Sequence, residues 1–265
     1  MSLVDCAERC TVGALLLAPG SADAIGRWLL PADFAHPRNA IGYQLVLELA
    51  GTGRLGPTEL LSAALRRADA RRNRVDGPYI HDLLRSPGSA GRPDVYGRMV
   101  LDAAVRRAVT IEGLRLHRVA RSADVAGLTW ALAEFDRAVR TLGALSGRLA
   151  LAGVPRTEPA RGLVGSAART GPGRAAAQER AALAALLACP ASVPAVERWL
   201  EAEDFGSAVH AATYAAIREL SARGEPVEPL TVAWLGRGGP AVLSMLDLAV
   251  LALTELARPA PTAPG

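Results

Sequence analysis

Few side chains in this 265-residue chain stand at spacings that would do chemistry. Cys6 and Cys10 lie one helical turn apart, the geometry of a shared metal ion, but no histidine or second cysteine pair follows at zinc spacing. They read as small buried thiols, and no metal site is expected. With Cys189 the cysteine count is odd, which points to a reducing compartment and not to a disulfide framework. Asp76, His81 and Asp82 are close in sequence, yet no serine or cysteine has an evident claim on His81 as a base. His81 therefore reads as a solvated surface histidine. All 30 basic residues are arginine. Without lysine there is no P-loop ammonium for a nucleotide's phosphates, no Schiff base and no Ser–Lys dyad. No catalytic residue and no cofactor site is expected. What remains is charge. Arg66, Arg67, Arg71, Arg72 and Arg74 form the densest basic stretch. It reads either as a phosphate-contacting patch or as a solvated loop, and it lacks the interleaved aromatics that single-strand stacking requires.

The elements that must carry these residues are helices. Half of the residues are apolar, 21% are charged and only 4% are aromatic. Alanine, leucine and valine supply the apolar mass, which suits helices packed through small side chains better than a β-sandwich. No apolar run approaches the roughly 20 residues that span a bilayer. The apolar run Thr11–Ala18 resembles a signal-peptide core, but Asp5 and Glu8 stand where a signal peptide is cationic. A cytoplasmic protein, in the nucleoid if it meets DNA, is the expectation, with no membrane partner.

Sliding the chain by 171 positions exposes an internal repeat. Glu8-Arg9 falls on Glu179-Arg180, Arg27-Trp28-Leu29 on Arg198-Trp199-Leu200, Asp33-Phe34 on Asp204-Phe205, Tyr43 on Tyr214 and Glu48-Leu49 on Glu219-Leu220. Each copy reads as helix, proline break, helix, loop, helix. In the first copy the helices are expected over Glu8–Leu17, from a Ser21 cap through Leu29, and over Asn39–Ala50, stopped by Gly51-Thr52-Gly53. Trp28, Phe34 and Tyr43, like their counterparts, lie on apolar faces at helical spacing and are expected in the core.

The first copy continues. A helix capped by Thr58 and a short one over Ile80–Leu84 precede a long helix from Asp94 to about Ala120. Ser122 is then expected to cap a second long helix carrying Val125, Leu128, Leu132, Phe135, Val139, Leu142, Leu145 and Leu149 in steps of three and four. The two would form an antiparallel hairpin of roughly 40 Å. The expected order is a first helical head (1–93), the hairpin (94–152), a flexible Pro/Gly/Ala/Arg linker (153–177), a second head (178–257) read without a hairpin of its own, and a disordered tail (258–265).

The order of these motifs resembles the N-terminal domain of the DnaB-type replicative DNA helicases. Gly13-Ala14-Leu15-Leu16-Leu17, Asp33-Phe34, Tyr43, Gly77-Pro78-Tyr79-Ile80 and Tyr96-Gly97-Arg98-Met99-Val100 carry the resemblance in the first copy. Gly224–Val232 and Gly238–Leu246 carry it in the second. The resemblance implies an all-α fold of two small helical-bundle heads, the first followed by the hairpin. That family's N-terminal domain forms a collar of paired subunits and docks primase, whereas the family's ATPase domain has no counterpart among these motifs.

The resemblance therefore implies a non-catalytic scaffold or regulator of DNA replication, a primosome component binding the replicative helicase or primase. The alternatives are a DNA-binding accessory protein using the arginine patch, or a decayed helicase fragment. It also implies a homodimer or larger homo-oligomer, with Leu128, Leu132, Phe135, Val139 and Leu142 as the outward interface of the hairpin. The competing reading consumes that seam inside the hairpin and against its own head. Charge is unevenly divided. Residues 1–150 hold 20 arginines against 15 acidic residues, residues 151–177 hold 4 against 1, and residues 178–265 hold 6 against 10.

Overall fold

The computed structural model describes residues 2–86, 92–122, 128–153 and 174–236, and those residues contain helices and turns with no strand. The chain divides into two compact units, Met1–Arg156 and Thr157–Gly265.

The first unit opens with α1 (Leu3–Leu17), whose N-terminus is capped by Ser2 accepting from the Asp5 N–H at 3.1 Å. A 3₁₀ turn (Pro19–Ser21) leads into α2 (Ala22–Gly26), and a second (Pro31–Asp33) precedes α3 (Pro37–Ala50). Ser21 makes no capping bond, contrary to expectation. Proline at the start of the turn presets its backbone, and the Ala22 N–H bonds back to Pro19, so α2 has no free start for a cap. Next come α4 (Pro57–Arg66), α5 (Ala68–Arg72) and α6 (Gly77–Arg85). Pro57 takes the first helical position of α4, which places Thr58 inside the helix instead of at its cap. The short α5 was not expected. It ends in a left-handed residue, Arg74 (φ 57°), with the Val75 N–H bonded to the Ala70 carbonyl at 2.9 Å. The same left-handed ending closes α3 at Gly53.

Two long helices complete the unit, α7 (Pro93–Ser122) and α8 (Leu128–Leu151). At 1.5 Å per residue α7 is about 45 Å long. Ser122 is the last residue of α7, and the joint at 123–127, where a cap of α8 would lie, is outside the described residues. α7 crosses α1 and packs along α8, and Gly97 is its point of closest approach to the head. A β-carbon at Gly97 would lie 2.8 Å from the Trp28 ring, so only glycine lets the helix lie this close. Arg148, near the end of α8, donates from Nε to the Trp28 carbonyl at 2.8 Å and from Nη2 to the Asp33 carboxylate. Arg107 of α7 donates to the Asp33 carbonyl. Asp33 is buried and also accepts the Leu30 N–H at 2.6 Å. One carboxylate thus ties the hairpin's base to the head.

In the second unit α9 (Arg174–Ala188), a 3₁₀ turn (Pro190–Ser192), α10 (Val193–Val196), another 3₁₀ turn (Ala202–Asp204), α11 (Ala208–Ala222) and α12 (Pro229–Leu235) repeat the first half of the first unit. The repeat extends to individual bonds. Tyr43 donates to the Leu29 carbonyl at 3.0 Å, and Tyr214 to that of Leu200 at 2.8 Å. Phe34 stacks on Tyr43 with centroids 4.8 Å apart, and Phe205 lies tilted against Tyr214 at 5.2 Å. Gly224 (φ 63°) ends α11 as Gly53 ends α3. Residues 154–173 and 237–265 lie outside the described residues, and with them most of the expected linker, the Gly238–Leu246 match and the tail.

Candidate protein-interaction surface

The acidic residue leading each copy's first helix is an internal anchor. Glu8 is fully buried in α1, and its carboxylate accepts from the N–H groups of Ala35 and His36 and, at 2.8 Å, from the Asn39 side chain. It clasps the start of α3, where backbone donors are otherwise unpaired. Asn39 in turn accepts from the Tyr79 hydroxyl at 2.8 Å. Burial pushes the Tyr43 and Tyr79 hydroxyls far above the ordinary tyrosine range, so both stay protonated donors. In the second copy Glu179 accepts the Gly206 N–H at 2.8 Å and lies 2.6 Å from His210 Nδ1. Burial opposes ionisation of Glu179, but the His210 and Gly206 hydrogen bonds outweigh it and hold its carboxyl below the usual range.

Asp76, Asp82 and Cys10 are engaged in structural contacts. Asp76 caps α6 by accepting the Tyr79 N–H at 3.1 Å and pairs with Arg38 at 3.0 Å. Asp82 pairs with Arg9 at 3.2 Å, and His81 is exposed. Cys10 is buried with its thiol 3.1 Å from the Ser86 carbonyl, and burial pushes the Cys6 thiol up, away from the thiolate a metal needs. Among the described residues no group of three His, Cys, Asp or Glu side chains is placed to hold a metal ion.

The arginine stretch is spread over two short helices and a turn. Arg66, Arg72 and Arg74 are exposed, at the ends of α4 and α5 and in the following turn. The Arg71 side chain lies outside the described residues. Arg67 is spent internally. It donates twice to Asp69, at 3.0 and 2.7 Å, and once to Glu48 at 2.9 Å. Those bonds hold the Asp69 carboxyl down, to about 2. Among the described residues of the stretch, Arg66, Arg72 and Arg74 are thus the exposed cations.

The hairpin presents a different surface. On α8 Leu132 is 59% exposed and Phe135 53%, with Val139 and Trp130 similarly open, while Ala138 and Leu145 are buried. Leu142 is half-buried, and the Leu128 side chain lies outside the described residues. The helix turns small residues towards its partner and leaves large ones outside, so the apolar row starts outward near the tip and rolls inward at Leu145. On α7 Ile111 and Leu114 are likewise exposed. These two and Trp130 were missed in the sequence because the apolar periodicity was followed on α8 alone. A contiguous apolar surface of this kind is what partner-binding proteins leave open. Among the described residues no single helix is long and apolar enough to cross a membrane.

Comparison with known proteins places these features. The model of the family described as "DnaB-like helicase N terminal domain" matches the chain twice, over residues 5–102 and 173–261. The replicative DNA helicase DnaB of Mycobacterium leprae is 30% identical over 125 residues, which are 45% of this chain and 20% of that protein. This chain therefore matches about a fifth of the length of that curated relative. A crystal structure of the N-terminal domain of DnaB helicase from Mycobacterium tuberculosis is 26% identical, covering 50% of this chain and 95% of that one with a TM-score of 0.45.

Proposed function

The chain belongs to the family of DnaB-like helicase N-terminal domains, and from that premise we propose that it is a non-catalytic scaffold of DNA replication that works by binding proteins. Its partners are the replicative helicase or primase, and its own copies pair through the hairpin. The observation that carries this reading is the outward apolar row Leu132, Phe135 and Val139 on α8. Such a row costs solubility unless it is covered in use. The matched region of the relatives is helical and N-terminal, and the chain's lack of lysine supports a role that hydrolyses no nucleotide.

The test is a double substitution, Leu132→Asp with Val139→Asp. Both side chains are exposed, so the variant is expected to fold, with unchanged helicity by circular dichroism. It is expected to sediment at a lower mass than the parent and to lose co-purification with helicase or primase. A folded variant that keeps its parent's mass and partners overturns the reading. Salt-sensitive DNA binding that disappears when Arg66, Arg72 and Arg74 become alanine replaces it with the nucleic-acid reading.

A further inference from the structure

The seam between α7 and α8 reverses the usual order of burial. Val105, Glu112 and Val119 stand seven residues apart on α7, the spacing that keeps side chains turned towards a partner helix. Val119 is buried, and so is Glu112, at 7% exposure, although glutamate is rarely buried unless fully paired. The two helices run antiparallel, since Arg107 and Arg148 both reach Asp33. Glu112 and Ala138 lie the same number of residues from the two ends of the joint, Ser122 and Leu128, so they stand level, and Ala138 is buried. One oxygen of Glu112 accepts from Arg115 at 2.8 Å, and the other is buried with no hydrogen-bond partner among the described residues. Meanwhile the larger apolar side chains Leu132, Phe135 and Val139 of α8 are exposed. At 3.6 residues per turn their common face is centred about 90° around α8 from Ala138.

We propose that Glu112 is the positioning residue of the outer row: it keeps the middle of the seam polar, and so stops α8 from turning Leu132, Phe135 and Val139 in against α7. A quarter turn of α8 would bury that row, and the gain would follow the apolar area removed from water. With Glu112 at the centre, the turned row would lie on a charged pair whose Arg115 side chain is still 42% exposed to water, and drying that pair opposes the turn. A single polar residue at such a position of a helical seam selects one packing over another, at a cost in stability. The unpartnered oxygen of Glu112 is where that cost is visible. The inference takes the purpose of the outer row from its reading as a contact surface, but its geometry does not depend on that reading.

The test is hydroxyl-radical footprinting of the full chain, diluted until the reactivity of Phe135 no longer depends on concentration. Glu112→Leu is expected to let α8 turn and to lower Phe135 oxidation about sevenfold, from its 53% exposure towards the 8% of Leu145 in the seam. Glu112→Ala, which adds no volume, is expected to lower it in the same direction. Glu112→Gln, which keeps a polar group of the same shape, is expected to keep the parent's reactivity. Circular dichroism reads the helicity of each variant. Folded Leu and Ala variants whose Phe135 is as reactive as the parent's overturn the proposal. Unfolding of both also overturns it, because Glu112 is then needed for the fold and not for the direction of α8. So does a Gln variant as protected as the Leu variant, because polarity at 112 is then not what holds the row outward. The contact-surface reading fails separately. If Phe135 turns inward in Glu112→Leu while the protein keeps its parent's sedimenting mass and partners, the row is not where they bind, and the role of Glu112 stands.

Discussion

At the scale of single residues, each head is clasped by a carboxylate of its first helix, fully buried in Glu8 and partly exposed in Glu179. Glu8 satisfies two backbone N–H groups and the Asn39 amide at once. Glu8→Ala leaves those donors unpaired in a dry interior and is expected to cost about 3 kcal/mol, read by urea denaturation of the first unit. The second copy makes the same clasp with a titratable partner, which gives it a pH signature. The Glu179 carboxyl is held below its unfolded value of 4.5, so the unfolded chain takes up a proton first as pH falls. The stabilisation is complete above pH 4.5 and is lost as pH drops through the lower folded value. The melting temperature of the second unit is therefore expected to fall between pH 5 and 3 more steeply in the parent than in Glu179→Gln. Equal slopes would show that the clasp carries no linkage. Trp28→Ala is expected to destabilise by about 3–5 kcal/mol, because it empties a buried site. Trp199→Ala is expected to change stability by no more than about 0.5 kcal/mol, because its ring is in water.

Helices set where those residues act, and the largest interface is that of α7 with α1 and α8. Its tightest point is Gly97 over the Trp28 ring. Gly97→Val is expected to destabilise the first unit by about 1–3 kcal/mol, since both the helix and the indole must shift, and Gly97→Ala by less. Calorimetry of the two variants checks the order. Much of this level is legible in the sequence. Apolar spacing locates α1, α3 and α8, and the repeat offset aligns Glu8 with Glu179 and Tyr43 with Tyr214. What it does not disclose is direction. Leu132 to Leu149 reads as one continuous seam, but α8 packs through Ala138 and turns its larger residues outward, because small side chains let two helices approach. Nor does periodicity reveal α5, whose Ala-Asp-Ala-Arg-Arg has no apolar stripe, or that Arg67 is consumed by Asp69. Trp199 was misjudged for a related reason. Its apolar face is the same as that of Trp28, and burial depends on a helix lying over it.

For the whole molecule, two copies of one fold have been given different surroundings. Among the described residues the first unit buries Trp28 under its own α7, whereas Trp199 of the second is exposed. Each unit has its own core, so two unfolding transitions are expected in calorimetry. Trp28→Ala should lower one and leave the other in place. Movement of both by the same amount would show that they fold as one. The hairpin's fastening has a mechanical consequence. Gly97, Arg107 and Arg148 all grip its base, and α7 runs on from Arg107 to Ser122. At 1.5 Å per residue that stretch is about 22 Å. A tilt of about 10° at the Asp33 pivot sweeps the far end of α7 through about 4 Å, about three-quarters of a helical turn. A change in how the head is gripped would thus be delivered, amplified, to whatever is bound at the tip.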